Sequence, residues 1–297
     1  MISRYRAFYL ILFVLLMSLF PPAAAGENQI SDESRPMRVF TTVAPLSWLI
    51  NSVAGDMASV SVLVPAGAEA HVYEPKPEQM AALSSAGIYF AIGNFSPFEA
   101  SRLPKFAEQN PSLIIVRLDE GLDNDPDEEH DGHEDHGHDP HIWTSVSSAP
   151  RILKNILGAF TEADPQNAEL YNKNYLRALD EIKELDSFIR NKFHGCGGKS
   201  FIVYHPAWGR FAEDFGIEQL AVEHEGKEPK INMLAALMNT ARTKGRKTVF
   251  AAPSDPQRNV GIFAGEIGAD VVIIDPLAPD WLQNMYSVAE EIYKALR

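Results

Sequence analysis

The sequence predicts an α/β fold in which two lobes, each built on a parallel sheet, are joined by one long, rigid helix. Short apolar segments of the kind that form buried strands alternate with helical spacing in both halves of the chain. Between these regions, an unbroken amphipathic helical pattern runs from Asp164 to Phe193. Strands that alternate with helices favour parallel sheets, because each parallel strand needs a crossover connection.

The first lobe is assigned to residues 37–147. Apolar segments bounded by turn residues predict its strands, and apolar residues at helical spacing predict two of its helices. The predicted strands are Met37–Val43, Val60–Val64, Ile88–Ile92 and Leu113–Val116, and the predicted helices are Pro45–Val53 and Pro77–Ser84.

The second lobe is assigned to residues 199–297, and it repeats this alternation. Its predicted strands are Phe201–Tyr204, Gln219–Val222, Lys247–Ala251 and Val271–Ile274, with a helix at Asn232–Thr243. A chain of 297 residues is long enough for two α/β lobes that each bury a hydrophobic core.

The linking helix is assigned to residues 164–193. Asp164 is suited to cap this helix, and Pro165 is suited to its first turn. Its apolar face is formed by Ala168, Tyr171, Tyr175, Ala178, Leu179, Ile182, Leu185, Ile189 and Phe193. At 1.5 Å per residue, this helix would be about 45 Å long and would run the height of both lobes. We expect it to limit hinge motion between them.

Residues 1–25 have the features of a secretory signal peptide. Arg4 and Arg6 precede an apolar segment from Ala7 to Phe20, and small residues follow at Ala23–Ala25. The apolar segment is about 14 residues long, whereas a membrane-spanning helix needs roughly 20. We therefore expect a cleavable signal, export to the periplasm and no stable membrane insertion. Anchoring through an uncleaved signal is the alternative.

The cysteine content and the net charge restrict the possible partners. The single cysteine, Cys196, is far from the cleavage site, so it offers no thiol for lipid attachment there and cannot pair within the chain. The chain has 26 basic and 40 acidic side chains, and loss of the signal peptide takes its net charge from −14 to −16. Nucleic acid is therefore not an expected partner, because it is also strongly negative. We expect a monomer.

Residues 119–140 form a loop that is rich in histidine, aspartate and glutamate and has too few apolar side chains to build a core. Four histidines lie within nine residues of it, namely His130, His133, His136 and His138. Imidazole nitrogens bind zinc, copper and nickel, and nearby carboxylates raise the local cation concentration. A solvated acidic loop is the alternative, but this density of histidine favours an auxiliary metal site with adaptable coordination.

Three further histidines stand near a proline or at the end of a predicted strand: His71, His141 and His205. Side chains at the carboxyl ends of parallel strands point into the crevice where such folds bind ligands. For one isolated histidine a structural role is the simpler interpretation, and spacing alone does not decide between the two.

Several segments carry a resemblance to a known family. They are Val64–Gly67 leading to His71 and Tyr73–Pro75, then Asp139–Trp143, His205 with Phe211 and Gly216, Glu225–Pro229 and Asp275–Leu277. At these positions the chain resembles the periplasmic solute-binding proteins of zinc and manganese ABC importers, the cluster A-I metal-binding family. It is most similar to the zinc-specific, ZnuA-like branch, and the resemblance covers nearly all of the mature chain.

The resemblance implies a metal site in the cleft between the lobes. His71 and His141 would face the cleft from the first lobe, and His205 and Asp275 would face it from the second. Three neutral imidazoles and one carboxylate suit tetrahedral zinc. Manganese-type relatives tend to have a carboxylate where His205 stands, so this histidine and the histidine-rich loop favour zinc.

The chain also departs from the family pattern. Glu69-Ala70 precedes His71 where Asp-Pro is common, and Ala252 stands where a glutamate usually precedes proline. In some zinc-specific relatives a water or a glutamate near the first histidine replaces the late aspartate. Asp275, Glu69 or a water therefore completes the expected site.

The resemblance implies that the protein binds Zn²⁺ with high affinity and delivers it as cargo to an inner-membrane ABC permease with its cytoplasmic ATPase. The histidine-rich loop would hold zinc loosely and pass it to the cleft. Because imidazoles must be neutral to coordinate a metal, zinc affinity should fall as the pH drops below about 6.5.

Other functions stay open at this point. A manganese-binding or other divalent-metal-binding protein of the same family is one alternative, and a secreted zinc buffer or adhesin without a transporter is another. A zinc-dependent hydrolase is the third, since three histidines and a water also describe catalytic sites. The sequence has no H-E-x-x-H motif, and Asp275 would leave no open position for a substrate. We therefore expect no enzymatic activity.

Overall fold

Two parallel four-stranded sheets, one in each half of the chain, form the framework of the protein. The computed structural model describes residues 35–65, 67–68, 73–93, 96–122, 139–223 and 231–297. The predicted α/β class with two parallel-sheet lobes is confirmed.

The first sheet contains strands β1 (Met37–Thr41), β2 (Ala58–Val62), β3 (Ile88–Ala91) and β4 (Ile114–Arg117). Helices α1 (Ala44–Ala54), α2 (Pro77–Leu83) and α3 (Pro97–Gln109) alternate with these strands. The strand order is β2-β1-β3-β4, and all pairs are parallel. Each predicted element is present within two residues of its expected bounds, and α3 was not predicted.

Two helices follow in the middle of the chain, α4 (Ala149–Ala163) and the long helix α5 (Ala168–Lys192). Helix α5 begins later than predicted, because Pro165–Asn167 forms a 3₁₀ turn. The Asp164 carboxylate does not cap a backbone N–H there and instead accepts hydrogen bonds from the side chains of Asn167 (2.7 Å) and Tyr171 (2.6 Å). The predicted apolar face is buried at Tyr171, Ala178, Ile182, Leu185 and Ile189.

The second sheet contains strands β5 (Ser200–Val203), β6 (Glu218–Ala221), β7 (Thr248–Ala251) and β8 (Asp270–Ile273). Its helices are α6 (Gly209–Asp214), α7 (Ile231–Thr243), α8 (Gln257–Ile267) and α9 (Trp281–Leu296). The strand order β6-β5-β7-β8 repeats the topology of the first sheet. None of the helices in the described part of the chain is long and apolar enough to cross a membrane.

One hydrophobic core runs through both lobes. It joins Val39 and Ile88 of the first sheet to Phe201 and Phe250 of the second through the buried faces of α1, α4, α5 and α9. The C-terminal helix α9 contacts α1 and α5, and the ring of Trp281 lies 5.4 Å from that of Trp48 between centroids. The long helix links the lobes as predicted, and α9 provides a second connection that was not predicted.

Candidate metal centre

A cleft opens where the carboxyl ends of the inner strands of both sheets meet. Thr42 follows β1 and Ile92 follows β3, while His205 follows β5 and Ala252 follows β7, and all four residues line the cleft. Its empty volume, including space open to solvent, is about 590 Å³. In each sheet the strand order changes direction between these two inner strands. Open α/β sheets bind their ligands at such a topological switch point.

His141 and His205 meet in this cleft. Their ring centroids are 5.4 Å apart, and the ring planes are nearly perpendicular at 82°. His141 immediately precedes the 3₁₀ turn Ile142–Thr144 and is 7% exposed, while His205 lies two residues beyond the end of β5. The structure therefore brings together two of the four residues that the family resemblance implies.

Each of these imidazoles is held by a carboxylate. His141 Nδ1 lies 2.6 Å from Asp139 Oδ1, and His205 Nδ1 lies 2.8 Å from Glu223 Oε2. A carboxylate at Nδ1 fixes the ring orientation and favours the tautomer with the proton on Nδ1. Nε2 is therefore the nitrogen through which each ring would bind a metal.

Neither carboxylate was predicted from the sequence. Asp139 is close along the chain, two residues before His141. Glu223 reaches His205 because β5 and β6 pair with Val203 beside Ala221, so the residues two positions further along also lie side by side. The contact of Glu223 with His205 thus depends on a strand pairing that the sequence does not specify.

The charge on Asp139 is stabilised by its surroundings. Burial alone would raise the pKa of this carboxyl group, but the hydrogen bond and charge of the His141 ring, the His141 backbone N–H and the Arg210 guanidinium together lower it. The His141 N–H donates to Asp139 Oδ1 at 2.9 Å. Asp139 is thus an ionised acceptor that forms hydrogen bonds with both the backbone N–H and the ring of His141.

Asp275 lies at the edge of this arrangement. It lies two residues beyond the end of β8, and the two residues that follow it, Pro276 and Leu277, line the cleft. Its Oδ1 accepts a hydrogen bond from the Leu277 N–H at 2.8 Å. Burial raises the pKa of Asp275, and the Leu277 hydrogen bond offsets this only in part. A divalent cation close to this carboxyl group would favour its charged form.

The other predicted ligands are not covered by the structure. His71, the candidate substitute Glu69 and the loop histidines lie outside the described residues; the latter are His130, His133, His136 and His138. Among the residues that are described, no group of three or more His, Cys, Asp or Glu side chains is placed to hold one ion. The full ligand set therefore stays a prediction.

Comparison with known proteins gives consistent matches along most of the chain. A family model described as ZnuA, zinc-uptake complex component A periplasmic, matches residues 39–295. A solved structure titled "Crystal structure of ZnuA" is 33% identical with a TM-score of 0.81, covering 88% of this chain and 100% of that one. The high-affinity zinc uptake system protein ZnuA of Bacillus subtilis (strain 168) is 26% identical over 280 residues, 90% of this chain and 88% of the relative. The zinc-binding lipoprotein AdcA of Streptococcus pneumoniae R6 is 25% identical over 303 residues, which are 97% of this chain but 60% of that protein.

Proposed function

We propose, from the premise that this chain belongs to the ZnuA family of periplasmic zinc-uptake proteins, that its cleft captures Zn²⁺ as cargo for an ABC-type importer. Proteins of this family are the metal-binding components of such importers, so a membrane permease with its ATPase is the expected partner. Membership of this family also favours zinc delivery over the zinc-hydrolase alternative.

The pair of carboxylate-held imidazoles is the observation that carries this proposal. The two rings meet in the cleft, and each has its Nδ1 bound to a carboxylate, Asp139 for His141 and Glu223 for His205. Neutral imidazoles oriented by a carboxylate at the second nitrogen are the usual ligands of protein zinc sites. This geometry supports coordination through the two Nε2 atoms.

We propose His71, His141, His205 and Asp275 as the ligands of the tight site. Three nitrogens and one oxygen at about 2.0 to 2.2 Å would give the tetrahedral shell that zinc prefers. The position of Asp275 beside two cleft-lining residues supports its inclusion, and Glu69 or a water is the alternative fourth ligand. A shell of this kind has no open position for a reacting substrate.

We also propose that the histidine-rich loop collects zinc for this site. The loop histidines His130, His133, His136 and His138 lie in a segment rich in Asp and Glu, which attracts divalent cations. Weak binding close to the cleft would raise the effective zinc concentration there. The loop would therefore matter most when zinc is scarce.

We place the protein in the periplasm as a monomer, exported by the signal peptide of residues 1–25. The AdcA relative is named a lipoprotein, which makes lipid anchoring the alternative. The only cysteine of this chain, Cys196, is 4% exposed in the core. This supports export without attachment of a lipid to a thiol.

The test is a calorimetric zinc titration of the chelator-stripped protein. It is compared with His205→Ala and with a variant lacking residues Asp123–His138, and Mn²⁺ is added as competitor. We expect one tight site that is lost in His205→Ala, and weaker sites that are lost with the loop. His194→Ala is the matched control, because His194 is exposed beyond the end of α5.

Two results would contradict the proposal. If the tight site survives in His205→Ala, the tight zinc site does not depend on this cleft residue and our assignment of the site to the cleft is wrong. Ready displacement of zinc by Mn²⁺ would mean that the cargo is another divalent metal.

A further inference from the structure

The segment that carries His141 is bonded to the second half of the chain. We call Asp139–Ser148 the His141 segment. Arg210, in α6, donates a hydrogen bond from Nε to the Asp139 backbone carbonyl at 2.8 Å. Helix α6 follows His205 directly along the chain, so this bond ties the two histidine-bearing segments to each other.

The last residue of the same helix holds the other end of the His141 segment. The Asp214 carboxylate accepts a hydrogen bond from the Ser147 backbone N–H at 3.0 Å and from the Ser145 hydroxyl at 3.1 Å. The Ser147 hydroxyl donates to the other oxygen of this carboxylate, Asp214 Oδ1, at 2.5 Å. Hydrogen bonds to an ionised acceptor are stronger than bonds between neutral groups. One carboxylate thus restrains two consecutive turns of the segment.

Two buried tryptophans fasten the centre of the His141 segment. Trp143 Nε1 donates to the Pro276 carbonyl at 2.7 Å, and Trp281 Nε1 donates to the Trp143 carbonyl at 2.6 Å. Pro276 follows β8, and Trp281 begins α9. Both bonds are buried, where an unpaired N–H or carbonyl would be costly.

Close packing between α6 and the Asp139 carboxylate leaves little space for the segment to shift. A methyl group added at Gly209, the first residue of α6, would lie 2.8 Å from Asp139 Oδ2. The carboxylate that orients the His141 ring therefore rests directly against the helix that follows His205.

From these contacts we propose that Arg210 and Asp214 are positioning residues that fasten the His141 segment to the lobe carrying His205. The imidazole pair is thereby assembled before the metal arrives. This inference rests on the proposed function, because it takes His141 as a zinc ligand. It adds that the segment carrying His141, although it follows the first sheet in sequence, is bonded to the second lobe.

The energetic consequence is pre-organisation. A ligand that is already in place loses little conformational freedom when the metal binds, so the bound state is favoured. Groups that hydrogen-bond a metal ligand directly typically contribute 10- to 100-fold to affinity, and Asp214 acts one step further out, through Ser145 and Ser147. We therefore expect removal of the Asp214 carboxylate to raise the zinc Kd by up to about 10-fold, the lower end of that range.

The test compares Asp214→Ala with Asp214→Asn in the purified protein, with the zinc Kd measured by competition with a chelating dye. The asparagine variant should remain close to the parent, because its amide oxygen can accept the Ser147 N–H and the serine hydroxyls can reorient. Ser145→Ala combined with Ser147→Ala removes the two hydroxyl hydrogen bonds to Asp214 and keeps the bond from the Ser147 backbone N–H, so it should reproduce part of the alanine effect. Asp180→Ala, an exposed position on α5, is the control that should not change the Kd.

A double-mutant cycle separates this inference from the proposed function. If Asp214 acts through His141, then Asp214→Ala should change the Kd of the His141→Ala protein by no more than about twofold. Fully additive effects, or an unchanged Kd in both Asp214→Ala and the serine double variant, would overturn the positioning role. An unchanged Kd in His141→Ala alone would instead overturn the assignment of His141 as a ligand.

Discussion

At the scale of single residues, the orientation of two rings determines what the cleft can bind. Glu223 bonds Nδ1 of His205 and Asp139 bonds Nδ1 of His141, so Nε2 is the atom through which each ring would bind a metal. A histidine without such a partner would sample other orientations and tautomers. The two carboxylates therefore determine the orientation in which the histidines would bind a metal.

Replacement of Glu223 by alanine should weaken zinc binding without removing a ligand. We expect the zinc Kd to rise by about 10- to 100-fold, the usual effect of losing such a support. Glu223→Gln should have a smaller effect, because the amide oxygen of glutamine can still accept a hydrogen bond from the Nδ1–H of His205. Glu218→Ala, at an exposed position on the strand β6 that precedes Glu223, is the matched control in the chelator competition assay. Equal Kd values for Glu223→Ala and Glu218→Ala would contradict this role.

A buried acid lies beneath the cleft. Glu99 accepts hydrogen bonds from the backbone N–H groups of Ile92 (2.8 Å) and Gly93 (2.9 Å) and from the Thr42 hydroxyl. Burial raises the pKa of Glu99 to about 7, the three hydrogen bonds oppose that rise, and the Asp119 charge adds to it. Glu99 thus gains a proton far more readily in the folded protein than in the unfolded chain.

The raised pKa of Glu99 predicts that the free energy of unfolding depends on pH. Because the folded value is raised above the ordinary 4.5, stability from protonated Glu99 is fully present below pH 4.5 and is lost as the pH rises through 7. The loss amounts to roughly 3 kcal/mol at 1.36 kcal/mol per pKa unit. Urea unfolding of the metal-free protein at several pH values measures it.

The variant Glu99→Gln should lose this part of the pH dependence, since an amide does not titrate. The comparison uses the slope of the unfolding free energy against pH rather than its absolute value, because glutamine replaces an acceptor oxygen with a donor. Glu108→Gln, exposed on the same helix, should keep the parent slope. Parallel curves for the parent and Glu99→Gln would show that Glu99 does not titrate in this range.

The family resemblance predicted His141 and His205 as metal ligands. Their local sequence context alone did not distinguish a ligand from a structural histidine. A histidine beside proline at a strand end suggests a ligand, but it does not identify the group behind the ring. Glu223 is brought to His205 by the pairing of β5 with β6, and the Asp214 contact joins residues that are far apart in the chain. Such partners depend on tertiary packing, which local patterns do not encode.

At the scale of elements, two helices tie the lobes together. Helix α5 buries Tyr171, Ile182 and Leu185 in the shared core, and α9 returns from the second sheet to contact α1. The sequence specified α5 because its apolar stripe repeats at helical spacing over many turns. The path of α9 was not predictable, since an amphipathic stripe shows that a helix packs but does not show against what.

Two leucines on α5 test the packing of this helix. Leu185 is fully buried in the shared core, whereas Leu176 is 52% exposed. We expect Leu185→Ala to lower the free energy of unfolding by about 2 to 5 kcal/mol, through lost burial and a cavity. Leu176→Ala should change it by no more than about 0.5 kcal/mol. Similar losses in urea unfolding for both variants would mean that α5 does not pack as described.

At the scale of the whole molecule, the shared core and the two connecting helices restrict relative motion of the lobes. The His141 segment adds hydrogen bonds that join the second lobe, at the cleft, to the chain that leaves the first sheet. Metal binding is therefore expected to bias small local rearrangements, rather than a large hinge closure. A permease would recognise those local changes around the cleft.

The most direct test of the central claim is a crystal structure of the zinc-loaded protein, with anomalous diffraction collected at the zinc absorption edge. We expect an anomalous peak in the cleft, about 2.0 to 2.2 Å from Nε2 of both His141 and His205. Asp139 and Glu223 should remain at the Nδ1 atoms of the two rings. A tightly bound zinc ion found elsewhere, with neither of these histidines as a ligand, would contradict it.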